Sequence, residues 1–135
     1  MQWAVAGSAG AFTLLHAANP AFDLLPMLNL LLFGIATGFY KLYVDRGHLW
    51  GVCAIHAVWN WLQQVVYGLP NSGQAPPIEN TLISVQPNEN LPALIWGGGF
   101  GPEGTLAATI VLGALLVYTM RQRPSAALDQ APTSA

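Results

Sequence analysis

The sequence predicts an all-α fold, a polytopic membrane bundle of about four transmembrane helices, and three observations carry that reading. Of the 135 residues, 53% are hydrophobic and only 7% are charged, whereas a soluble domain carries about 25% charged residues. The charges are Asp23, Lys41, Asp45, Arg46, Glu79, Glu89, Glu103, Arg121, Arg123 and Asp129, all between or at the ends of long apolar runs, as a bilayer requires. Those runs number four, and each approaches the ~20 residues needed to cross the hydrocarbon.

The first run covers about 2–18 and stops at Asn19-Pro20. Its start, Met1-Gln2-Trp3, lacks the positive leader of a signal peptide, so the run is expected to stay in the protein. The second covers about 24–44, the third about 49–67 and the fourth about 105–120; the first and last are short. Residues 68–104 are rich in Pro, Asn and Gly, with Glu79, Glu89 and Glu103 and no Lys or Arg. The apolar end of that loop, Leu94 to Phe100, is too short to cross and is expected at the interface or dipping in. There is no internal repeat. The transmembrane domain is placed at 1–122, and the Pro-, Ser-, Ala- and Thr-bearing tail, 123–135, is expected to be disordered.

Basic residues orient the bundle. Lys41 and Arg46 flank the link between spans two and three, and Arg121 and Arg123 follow span four. With four spans both places lie on one side, and the positive-inside rule puts both termini in the cytoplasm. Trp3, Trp50 and Trp96 sit near span ends, where indole anchors. A net charge of -2 gives no basic patch, which excludes nucleic acid as a partner and leaves membrane lipid. Cys53 is the single cysteine, so there is no internal disulfide and no cysteine-built zinc site.

Polar groups inside lipid need a reason. His56, Asn60 and Gln63 share one face of span three, and Phe12 and His16 are four apart on span one. Asn29 and Thr37 on span two read as packing glue, and Gly34-xxx-Gly38 as a close-approach pair, within one chain or between chains. His48, beside Trp50, reads as interfacial. Gln63 and Gln64 either line a cavity or approach the outer interface.

Neutral imidazole accepts a proton, donates a hydrogen bond or binds a metal. An Asn one turn away adds an amide donor, and such donors stabilise an oxyanion by roughly 2.7–4 kcal/mol each. Peptide hydrolysis also needs an activated water, from a carboxylate base or a metal. His16 and His56 are the candidate ligands of a divalent metal such as zinc, though two histidines fall short of a zinc set. At ~1.5 Å per residue His56 lies about 10 Å from the inner end of span three. His16 lies near the outer end of span one, so the two meet only if helices tilt or Asn19-Pro20 ends below the membrane surface.

Phe12-Thr13-Leu14-Leu15-His16, followed by Asn19-Pro20, resembles the FxxxH motif of the CPBP (Abi, CAAX-protease-like) intramembrane endopeptidases, and His56-Ala57-Val58-Trp59-Asn60 resembles their HxxxN motif. The link from Asn29 through Gly34 and Gly38 to Trp50 is similar to the family's own. Phe100-Gly101-Pro102-Glu103-Gly104 resembles a segment before the last helix of many bacterial members. The resemblance runs roughly from Ala9 to Met120. It implies a metallo- or glutamic endopeptidase acting on peptide or protein substrates near the membrane, in a bacterial plasma membrane. It also implies catalytic roles for His16, which would help a glutamate activate water, and for His56 and Asn60, which would stabilise the oxyanion. In the metalloprotease description His56 joins His16 at the metal. The family's Glu-Glu-xxx-Arg motif precedes FxxxH, and no Asp, Glu or Arg precedes His16 here. Glu103 belongs to a different segment and is not given that role. The chain is therefore expected to be an N-terminally incomplete domain, inactive alone: a fragment, a truncated gene, or half of a split protein whose upstream half supplies Glu-Glu-xxx-Arg, with a degenerate relative as the lesser reading. The alternatives are a membrane subunit holding haem or another cofactor between His16 and His56, and a non-catalytic scaffold or immunity protein.

Overall fold

The computed structural model describes residues 1–77 and 80–124. Glu79, Asp129 and the tail from residue 125 onward, expected to be disordered, lie outside the described residues. The chain is all-helical: α1 Gln2–Leu15, α2 Leu24–Tyr43, α3 Trp50–Trp61, the short α4 Ala93–Trp96, and α5 Leu106–Arg121. Among the described residues there is no β-strand, only an isolated bridge between Asn71 and Gln74. The long helices occupy the four apolar runs. Among the described residues α2 is the helix long and apolar enough to cross a membrane by itself, and α5 is a shorter apolar helix.

Local chemistry sets the ends. Asp23 Oδ1 accepts from Leu24 N at 2.6 Å and opens α2, while Thr105 Oγ1 accepts from Ala108 N at 3.0 Å and opens α5. Both satisfy amide donors that the first helical turn leaves unpaired. The third apolar run, expected as one span over 49–67, is an α-helix that widens into a π-helical turn over Leu62–Val66. There Tyr67 N donates to Leu62 O at 3.0 Å. Hydropathy reports how apolar a run is and says nothing of its winding, so the wider turn is not legible from it. Gln63 and Val66, within this turn, are buried.

The central helix is α2, with α1 on one side and α5 on another. Its Gly34 and Gly38 are why α1 comes so close. A Cβ at Gly34 would lie 2.8 Å from Ala9 Cα, and one at Gly38 would lie 2.7 Å from a Val5 methyl. The small-residue pair is therefore used within one chain. Asn29, 1% exposed, ties α2 to the start of α5. Its Nδ2 donates to the carbonyls of Glu103 (2.7 Å) and Thr105 (3.0 Å), and its Oδ1 accepts from Thr109 Oγ1 at 2.7 Å. Thr37 Oγ1, in contrast, bonds only within its own helix, to Phe33 O at 2.7 Å and Gly34 O at 3.3 Å.

Few apolar side chains are buried, among them Val5, Ala9, Leu30, Phe100 and Leu112, whereas Leu14, Leu15, Val58, Ile110 and Val117 are exposed. Trp3 and Trp50 are exposed at the starts of α1 and α3. The loop after α3 folds back over this frame. Asn19 Nδ2 donates to Ser72 O at 2.8 Å, and Gly73 N donates to Phe100 O at 2.8 Å. Gly73, at φ +81°, lies so close to the Pro20 carbonyl that no side chain fits there. The apolar segment ending at Phe100, expected at the interface or dipping in, forms α4 and a 3-10 turn, Gly98–Phe100; a second, Pro102–Gly104, follows.

Candidate functional site

The site forms where α1, α2, α3 and the two loop segments meet. His16 follows the last residue of α1, and its Nδ1 lies 2.7 Å from Phe12 O. A carbonyl only accepts, so Nδ1 carries a hydrogen, and the neutral form of the ring is then the tautomer with its lone pair on Nε2. The Phe12 ring touches both histidines: its centroid lies 4.6 Å from that of His16 and 5.8 Å from that of His56. Phe33 of α2 completes the packing at 5.6 Å from His56. The two imidazoles, read from the sequence at different depths, thus converge on one phenyl ring.

Beside them is a cavity of about 20 Å³ whose wall includes His56, Asn60, Trp59, Ser72, Glu103, Phe12 and Phe33. That is about the space of one water molecule. His16 does not line it; its ring packs against Phe12, which does. A larger groove of about 320 Å³ runs between α1, α2 and α3, past Ser8, Gly34, Gly38 and Lys41, and shares Phe12, Phe33 and His56 with the small cavity. His56 and Asn60 are therefore brought to one wall, and His56 also faces the groove.

Glu103 is 7% exposed and is the carboxylate of the cavity wall. Trp59 Nε1 donates to its Oε1 at 3.2 Å, and Gln63 Nε2 and Ser72 N donate to its Oε2 at 2.9 and 3.3 Å. All three groups are donors, and the carboxylate oxygens serve them as acceptors. Asn71 Nδ2 donates to Gln63 Oε1 (2.5 Å) and to Asn60 Oδ1 (3.0 Å). Gln63, read from the sequence as lining a cavity or approaching the outer interface, is buried within this polar cluster. Glu103, Asn71, Ser72 and Trp59 are members that sequence reasoning did not place here. The available hint for Glu103 was a lone acid among glycines at 97–99, 101 and 104, against an apolar helix.

No group of three or more His, Cys, Asp or Glu side chains is arranged to hold a metal ion among the described residues. A catalytic zinc takes three protein ligands and a water, so His16 and His56 do not make such a centre by themselves. Glu103 already accepts three N–H groups.

Residues 1–62 match the family model described as type II CAAX prenyl endopeptidase Rce1-like. The match spans 62 of the 135 residues, so it is a likeness to that family over the N-terminal part of the chain. The matched stretch contains Phe12, His16, His56 and Asn60, and it ends before Gln63, Asn71 and Glu103. The matched family is one of membrane-associated proteases. No curated protein and no solved structure matches the chain.

Proposed function

We propose that this chain carries the histidine–asparagine side of an intramembrane endopeptidase that hydrolyses peptide bonds near the membrane. The observation that carries the reading is the water-sized cavity walled by His56, Asn60 and Glu103, opening beside a groove of about 320 Å³ that shares His56, Phe12 and Phe33. A peptide segment lying in the groove would bring a carbonyl to His56 and Asn60. Water adds to that carbonyl carbon, the C–N bond breaks, and the proton given up by the water ends on the leaving amine. Asn60 Nδ2 and a His56 N–H donate to the developing oxyanion, an interaction absent from the flat ground-state carbonyl. His16, with Nδ1–H held by Phe12 O and its ring outside the small cavity, offers Nε2 to the carboxylate that activates the water.

The carboxylate base is assigned to a Glu-Glu-xxx-Arg segment outside this sequence, because both Glu103 oxygens are already engaged by three N–H groups. The surrounding protein is a four-helix membrane bundle in a bacterial plasma membrane with both termini cytoplasmic. The exposed leucines, isoleucine and valines of α1, α3 and α5 support lipid contact, since a soluble surface rarely leaves so much apolar area bare.

The test is cleavage of a membrane-tethered peptide in proteoliposomes, with a helix bearing Glu-Glu-xxx-Arg co-expressed and the reaction run in oxygen-18 water. The expected result is one heavy oxygen in the new carboxylate and loss of the product in His16→Ala and Asn60→Ala. Product formation that persists in both variants would refute the reading.

A further inference from the structure

A chain of side-chain amides runs from Glu103 to Asn60, and we infer that Glu103, Gln63 and Asn71 are positioning residues that turn the amide nitrogen of Asn60 toward the cavity. The inference rests on the endopeptidase reading only for what that nitrogen binds; the orientation itself follows from hydrogen-bond polarity. Amide groups can sit either way round, because their oxygen and nitrogen are alike in size. Something of fixed polarity must choose between the two.

Here the choice begins with two groups that can only donate, Trp59 Nε1 and Ser72 N, both aimed at Glu103. They demand an acceptor, which the carboxylate supplies. An acceptor-only carboxylate then demands the NH2 side of Gln63, found 2.9 Å from Oε2. Gln63 is left with its oxygen toward Asn71, which must donate to it, and does. The second hydrogen of Asn71 Nδ2 goes to Asn60 Oδ1 at 3.0 Å. Asn60 therefore has its oxygen occupied and its NH2 group turned away from Asn71. That NH2 has no hydrogen-bond partner among the described residues. Every fully buried side-chain nitrogen or oxygen among them does have one, so Asn60 Nδ2 keeps accessible surface, and Asn60 lines the cavity.

The device explains why a buried carboxylate sits in the site with its oxygens engaged. It acts as a polarity source rather than as a base. Each link is needed: the π-helical turn carries Gln63 inward, and the Asn71–Gln74 bridge holds the Asn71 backbone, with N–O distances of 2.9 Å both ways. Replacing Glu103 by Gln puts an NH2 against one donor or another and removes the rule that orders the chain. Asn60 would then present its oxygen in part of the population, and an oxygen repels an oxyanion.

The experiment is a nitrogen–proton correlation spectrum of the full chain in lipid nanodiscs with nitrogen-15 asparagine, assigned by Asn60→Asp and Asn71→Asp. Glu103→Gln is expected to shift the Asn60 side-chain pair and split it into two sets. Gln63→Leu, which cuts the chain midway while keeping the Glu103 carboxylate and its Trp59 and Ser72 donors, is expected to do the same. The Asn29 pair, held by backbone carbonyls of Glu103 and Thr105, should stay in place and report that each variant is folded. An unchanged Asn60 pair in a folded Gln63→Leu protein would overturn the inference. Cleavage separates it from the endopeptidase reading. An Asn60 response without peptide cleavage supports the relay while that reading fails. Cleavage with no Asn60 response overturns the relay and leaves that reading standing. Where cleavage is seen, Gln63→Leu and Asn71→Ala should lower kcat in the parent and not in the Asn60→Ala background.

Discussion

Asn29 and Thr37 are both buried polar residues on α2, 1% and 6% exposed, yet they should behave very differently when replaced. Asn29→Leu removes three inter-segment hydrogen bonds, to Glu103 O, Thr105 O and Thr109 Oγ1. At about 0.6 kcal/mol per bond, the average for membrane helices, the loss is about 2 kcal/mol. At the ~1 kcal/mol typical of soluble proteins it is about 3. Thr109 retains a partner in Thr105 O at 3.3 Å, which keeps the cost toward the lower figure. Thr37→Val removes bonds only to its own helix, whose carbonyls already accept from the backbone, and should cost under about 0.5 kcal/mol. Reversible unfolding in mixed micelles, titrated with a denaturing detergent and followed by helicity, reads the two differences. Equal losses would refute the claim that Asn29 fastens α5 to α2.

Other outcomes follow from the same contacts. Gly34→Ala drives a methyl onto Ala9 backbone and should cost about 1–3 kcal/mol as overpacking in the same titration. Gly113→Ala, with nothing within 4 Å, should be neutral or stabilising, since Ala is the better helix former. Gly73→Ala adds a side chain at φ +81° against the Pro20 carbonyl; it should loosen the loop and speed limited proteolysis near residue 73. Cys53 is a free, exposed thiol on α3. If α3 lies in lipid, a charged maleimide should label it slowly in proteoliposomes and quickly after denaturation in detergent, and rapid labelling in liposomes would count against a membrane-embedded α3.

The helices were legible because each apolar run is bounded by charge, Pro or Gly. The runs at 24–44 and 105–120 correspond closely to Leu24–Tyr43 and Leu106–Arg121. The histidines and Asn60 stood out because polar groups in apolar helices are scarce. What could not be read was anything that depends on the fold-back of the long loop. Glu103 meets Trp59 and Gln63 across some forty residues of chain, and a Gly- and Pro-rich segment has no period that reveals its partners. The approach depends on left-handed glycines such as Gly73 and Gly101, whose conformation a sequence does not announce. Nor does spacing show that Phe12 would touch both imidazoles, because that follows from the α1–α2 contact at Gly34 and Gly38.

The most direct test of the central claim compares kcat and KM for peptide cleavage between the parent protein and Asn60→Ala, with the Glu-Glu-xxx-Arg helix supplied. The loss of one oxyanion donor is expected to lower kcat about 10²–10³-fold while KM changes little. A kcat within a few-fold of the parent would contradict the placement of Asn60 at the reacting carbonyl.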